Sequence, residues 1–379
     1  MLVEVKDIRP QARQSNFELL RIIAMIMIIA SHLAQHSLTG NWQILRWPFS
    51  LNMVWANLLG THGQLGVCVF IFISSWFLCR AQGIHIKKLL LINLECLFYS
   101  ASIFLLLKLS GLELLGVREL LKVLFVPWLE GYWFVLAYFC FYLCVPALQL
   151  YSRTVSLDSQ GKLLVVLTAL IPVYQGFLDK FMFGNVGFFI YLYLLCSYLK
   201  GSSENFLERH CVPVFLLCFF FVTGGSLAIR LIGHGVALSE VIASQLHARM
   251  NLLVMIEAAA LFYIFKRYVN LGFVWLINEI AKTALGIYII HECWLFNLYP
   301  GGLHEGGILF EYLLGCGESF LHSRLFPLYY LAVVLGLFVV CSFVEYMRIL
   351  LFDKGLFARD KKLETICKKF DLWYRLEAV

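Results

Sequence analysis

Charge is scarce in this 379-residue chain. Asp, Glu, Lys and Arg make up 14% of it, against about 25% in an average soluble domain. That shortage excludes a soluble globule with an ordinary charged surface. The motifs of soluble catalysis are missing as well: there is no GxGxxG or Walker A phosphate loop, no GxSxG elbow, no HExxH and no run of paired carboxylates. No CxxC pair occurs and no Cys/His group has zinc spacing, so no metal ligand set is expected. Internal repeats and low-complexity segments are absent. So is a basic patch, which removes nucleic acid as a partner.

What fills the space is hydrocarbon. Apolar residues make up 61% of the chain, and the mean hydropathy is +0.81. The excess is spread along the whole length, which predicts an all-α polytopic membrane protein. Runs of about 20 apolar residues give ten candidate spans, near 17–35, 62–79, 88–109, 131–150, 162–179, 184–200, 211–232, 250–267, 280–299 and 325–350. Most of the twelve cysteines (Cys68, Cys96, Cys140, Cys144, Cys196, Cys218 and Cys341 among them) lie inside these runs, where the residue behaves as a small hydrophobe. The first run is as long as a span, and His32 would occupy the small-residue position of a signal-peptidase site, so it is expected to be retained.

Orientation follows from Lys and Arg. With the N-terminus inside, 21 fall on the inner side and 8 on the outer, and Arg21 within the first span completes the thirty. Positive residues favour the cytoplasm, so both termini are expected there. The expected organisation is a cytoplasmic segment over 1–16, a ten-helix membrane domain over 17–350 and a charged, helical cytoplasmic tail over 351–379.

The polar residues inside the spans are the informative ones. In ELLRIIAMIMIIASHLAQH (18–36), eleven steps of 100° return His32 to within about 20° of Arg21, some 16 Å along the helix. Glu18, three residues before Arg21, falls on nearly the same face. The plain alternative is that Arg21 snorkels to the headgroups and His32 sits at the outer interface. Ionisable groups in spans more often face a cavity, because lipid exposure costs a few kcal/mol each. The run HGQLGVCVFIFISSWFLC (62–79) joins His62, glycines, Ser74 and Ser75 on a helix that another helix or a ligand could approach closely. EGYWFVLAYFCFYLCVP (130–146) carries Trp133 and Tyr138, suited to interface anchoring or to a pocket wall. ALGIYIIHECWL (284–295) places His291 and Glu292 near the middle of the ninth span.

These pieces together resemble the membrane-bound acyltransferase 3 family over about Ser15 to Leu350. NFELLRIIAMIMIIASH resembles its opening helix, with an arginine, ten intervening residues and a histidine. GQLGVCVFIFISSWFL, YWFVLAYFCFYLCVPAL, FFIYLYLLCSYL and ALGIYIIHE resemble four further segments in the family's order. Ser75 stands where the family usually has glycine, and the usual basic pair after the second span is replaced by a looser Arg80, Lys87 and Lys88. No added extracytoplasmic esterase-like domain is expected.

The resemblance implies a multi-pass protein of the bacterial plasma (inner) membrane that moves an acyl group, most often acetyl, from cytoplasmic acetyl-CoA to a hydroxyl of a surface or lipid-linked glycan. No tightly bound cofactor is implied, since acetyl-CoA is a substrate. Arg80, Lys87 and Lys88 would meet the CoA phosphates, and Arg21, fixed by Glu18, would hold the pantetheine arm or a phosphate. His32 would be either a general base or the acyl carrier. Ser74, Ser75, Trp133, Tyr138, His62, His291 and Glu292 are candidates for the wall of the same cavity. A transporter or flippase of a glycan-related solute is the main alternative, and it would show inverted repeats and broken helices. A glycan polymerase or ligase would need a larger outer loop than the roughly 25 residues expected here.

Overall fold

The computed structural model describes residues 14–38, 50–79, 81, 84–111, 115–129, 131–175, 184–203, 205–233, 236–298, 307–316, 320, 322–356 and 361–374. Helix is the only regular structure among them. In chain order the helices are α1 (Ser15–Leu33), α2 (Leu51–Gly60), α3 (Gly63–Leu78), α4 (Ile86–Leu109), α5 (Val117–Leu124), α6 (Trp133–Thr154), α7 (Leu157–Thr168) and α8 (Gly184–Gly201). They continue with α9 (Cys211–Phe219), α10 (Gly225–Ile232), α11 (Ala237–Leu246), α12 (Leu252–Tyr268), α13 (Trp275–Lys282), α14 (Ala284–His291), α15 (Phe326–Arg348) and α16 (Lys361–Trp373). Side chains cap several starts: Ser50 accepts from the Met53 amide, Ser156 from Ser159 and Asn251 from Leu253.

α1 is the axis of the bundle. Leu20, Ala24, Ile29 and Leu33 have no exposed surface, and α3, α12, α13, α14 and α15 all pack on it. The closest neighbour is α3, which approaches at its glycines. A Cβ on Gly66 would stand 2.6 Å from the Ala24 carbonyl oxygen, and one on Gly63 would overlap the Ser31 side chain. The small residues of the second expected span therefore serve helix packing at this point.

Seven helical segments among the described residues are long and apolar enough to cross a membrane: Ser15–Ser37, Leu51–Leu78, Ile86–Leu109, Trp133–Thr154, Leu157–Tyr174, Cys211–Ile232 and Phe326–Phe352. The expected spans at 184–200, 250–267 and 280–299 are helical as well, but fall outside those seven. The last of them differs most from expectation, because it is broken. Thr283 separates α13 from α14, its hydroxyl bonding back to the Ile280 carbonyl at 2.7 Å and to Ser342 at 2.9 Å. α14 then ends at His291, and a single 3-10 turn, Trp294–Asn297, follows. Irregular backbone at membrane depth is tolerated where it lines a cavity or is buried in protein.

The helix ends are tied together in two sets of contacts. On one face Gln149 of α6 donates to the carbonyls of Leu78 (2.7 Å) and Ala81 (3.0 Å), and Asn16 donates to Phe265 of α12 (3.3 Å). Lys266 pairs there with Glu208 at 2.6 Å. The charged tail docks on the same face: Asp371 of α16 accepts from the Ile86 amide at 2.8 Å, capping α4, and Tyr374 donates to the Leu143 carbonyl at 3.1 Å. On the opposite face Asn52 donates to Ser323 (2.9 Å), and Arg230 joins Asn57 to Glu240. All twelve cysteines are free.

Candidate active site

A cavity of about 610 Å³ runs beside α1, walled by α3, α4, α6, α13, α14 and α15. Both marked residues of the first span face it, with Arg21 toward one end and His32 toward the other. Met25 and Ile28 of α1, with Val67 and Phe70 of α3, line the stretch between them.

At the Arg21 end the lining is ionic. Arg21 Nη1 donates to both carboxylate oxygens of Glu18 at 2.9 Å, the pair expected at i, i+3. Lys88 donates to the Tyr138 hydroxyl at 3.0 Å and lies over the rings of Tyr138 and Tyr142. Two further cations, Lys282 and Arg348, complete this end. Arg348 is gripped by Glu345 at 2.8 and 2.9 Å, lies 3.6 Å from Glu95, and Tyr99 donates to Glu345 at 2.7 Å. Gly286 makes that cluster possible, because a Cβ there would occupy the space of the Glu345 carboxyl.

At the other end the broken ninth span delivers its two ionisable groups to His32. His291 is buried, and its Nδ1 lies 2.5 Å from the Ile287 carbonyl oxygen. A carbonyl only accepts, so that nitrogen carries the proton and Nε2 is left as an acceptor. His32 Nδ1 stands 3.0 Å from His291 Nε2 and is therefore the donor. In neutral His32 this leaves Nε2 unprotonated. The Glu292 carboxylate lies 3.0 Å from the same Nδ1 and acts on it as a charge. His36, one turn beyond His32, brings Nε2 to 3.5 Å from that carboxylate oxygen and stacks on Phe310. His32 and Glu292 keep 15% and 16% of their side-chain surface, enough to reach the cavity.

Of the other expected residues, Ser74, Trp133 and Tyr138 line the cavity. Ser75 is fully buried in helix packing and His62 turns away, bonded to Thr223 at 3.1 Å and stacked on Phe219. Neither joins the wall. Lys87 also stays off it, and Arg80 lies outside the described residues.

Several residues in or beside the wall escaped the sequence reading. His36 stood at i+4 from His32, on the same face. Glu345 and Arg348, an i, i+3 pair inside an apolar run, carried the signal that ionisable residues in spans provide. Arg249, whose guanidinium lies 4.2 Å over the Trp133 ring, read only as a loop charge.

The arrangement joins a cationic anchor to a histidine whose free nitrogen faces the same cavity. That is the equipment for carrying an activated group to a base. No curated protein and no solved structure matches the chain. A family model described as an acyltransferase domain matches residues 14–347. The geometry and that match over most of its length agree: the chain belongs to the acyltransferase 3 family and is a membrane acyltransferase.

Proposed function

We propose that this protein moves an acetyl group from cytoplasmic acetyl-CoA, through the cavity, to a hydroxyl of an extracytoplasmic glycan or lipid-linked saccharide. It does so as a ten-span protein of a bacterial inner membrane, with both termini cytoplasmic. The observation that carries the reading is the single cavity with Arg21 at one end and His32, backed by Glu292, at the other.

Cations at the inner end suit a donor whose head bears phosphates. Arg21, Lys88, Lys282 and Arg348 would bind it while the pantetheine arm follows the apolar stretch toward His32. His32 Nε2 takes the proton of the acceptor hydroxyl, and the oxygen attacks the thioester carbonyl. The tetrahedral intermediate expels the CoA thiolate, which receives the proton from the imidazolium. Glu292 stabilises that imidazolium, and the His32–His291 hydrogen bond holds the ring. Gln35, Gln64 and Arg249 offer polar groups to the acceptor.

The test is labelled acetyl-CoA with purified protein, alongside the O-acetyl NMR signals of the host's surface glycan. His32→Ala should abolish both transfer and the O-acetyl signals at normal protein levels, and retained acetylation would remove His32 from the chemistry. The broken ninth span is a feature that transporters share. Solute uptake by proteoliposomes without any acetyl release would favour that second reading.

A further inference from the structure

Three nitrogen and oxygen atoms converge at the outer end of the cavity, with a fourth beside the carboxylate, in a way that acid–base chemistry does not use up. His32 Nδ1 is 3.0 Å from both His291 Nε2 and Glu292 Oε2, and His36 Nε2 is 3.5 Å from that same oxygen. The potential ligand atoms of His32, His291 and Glu292 all lie within 4.8 Å of one another. Donors about 2.0–2.2 Å from a zinc ion at tetrahedral angles stand about 3.3 Å apart. Three of the separations, 3.0, 3.0 and 3.5 Å, bracket that value.

Two further observations point to a cation at their centre. His36 Nε2 and Glu292 Oε2 are buried atoms that face each other, and the same Glu292 oxygen faces His32 Nδ1, so one carboxylate oxygen holds two imidazole nitrogens around it. A carboxylate ringed by imidazoles is a favourable place for a cation. The His291 ring is also held as a metal-binding histidine is: its Nδ1–H is committed to the Ile287 carbonyl, which turns the Nε2 lone pair toward the cluster. Phe310 stacks on His36 and fixes the third ring.

We propose that His32, His36, His291 and Glu292 form a site for one divalent transition-metal ion of the zinc class. Three imidazoles and a carboxylate suit such an ion and not magnesium or calcium, which prefer oxygen donors. The cavity is its entry path, since His32 and Glu292 both line it. Binding requires the His32 proton to move from Nδ1 to Nε2, so that Nδ1 offers its lone pair to the metal. The free Nε2 that would take the acceptor proton is then protonated. Metal binding and base chemistry at His32 exclude each other, and the ion is an inhibitor of acyl transfer.

The experiment is a cobalt(II) titration of the tag-free, detergent-solubilised full chain, followed by the visible absorption of four-coordinate cobalt. The wild type should develop the band with a sharp end point at about one equivalent, and zinc should displace it. A His36→Ala, His291→Ala double variant should lose the band, while His85→Ala, which removes an exposed histidine outside the cluster, keeps it. A wild-type chain with no band overturns the proposal whether or not the variants fold, and so does a band that survives in the double variant. This readout needs no acyl transfer, so it fails or succeeds separately from the enzymatic reading.

Discussion

Replacing Glu292 by glutamine keeps the size of the side chain and removes its charge, which isolates one contribution to the proposed chemistry. The carboxylate oxygen lies 3.0 Å from His32 Nδ1. At that distance an imidazolium and a carboxylate attract by about 5 kcal/mol at an effective dielectric of about 20. The positive charge is shared over the ring, which moves its centre roughly an ångström farther and lowers the figure to about 4 kcal/mol. Since about 1.4 kcal/mol corresponds to a decade in rate, kcat should fall about a thousandfold. The assay is release of the CoA thiol from acetyl-CoA by purified protein. The KM for acetyl-CoA should hold, because Glu292 stands at the end of the cavity away from Arg21. A Glu292→Gln protein that folds normally and keeps more than about a tenth of wild-type kcat would refute the stabilisation argument.

Arg21→Ala should raise the KM for acetyl-CoA by tenfold or more, on the order of one lost charge-assisted contact, with Arg21→Lys recovering part of it; a change confined to protein yield would make Arg21 structural. Gly286→Ala forces the Glu345 carboxyl out of its place against the helix and strains its bonds to Arg348 and Tyr99. Overpacking with a disturbed charged hydrogen bond should cost about 2–4 kcal/mol, read as a lower melting temperature in detergent, and an unchanged melt would show that Glu345 can move freely.

How much of this could be read beforehand depends on the range of the interaction. Helical arithmetic places Arg21, His32 and Glu18 on one face, and the structure sends Arg21 and His32 into one cavity with Glu18 bonded behind. His32 and His291, by contrast, meet across 259 residues of chain, and no local pattern encodes that contact. The break at Thr283 falls beside Lys282 at the start of the expected span, where two side-chain bonds and a turn end one helix and begin the next. Ser74 and Ser75 show the limit of composition. Adjacent residues on a helix point about 100° apart, so one reaches the cavity and the other is consumed by packing.

The apolar middle of the cavity has a consequence for the cell's energetics. A passage furnished with charges at both ends lies across a membrane that stores a potential worth about 2.3 kcal/mol per charge at 100 mV. Water threading it from end to end would offer protons and sodium a route down that gradient. Met25, Ile28, Val67 and Phe70 line the wall between the two ends, and an apolar wall sheds water and the ions water carries. An acyl chain on its pantetheine arm passes such a wall at little cost, whereas a hydrated ion would have to leave its shell behind. Under the proposed function, the same four side chains that look like filler would let a carbon cargo through an insulating barrier while keeping the barrier electrically closed.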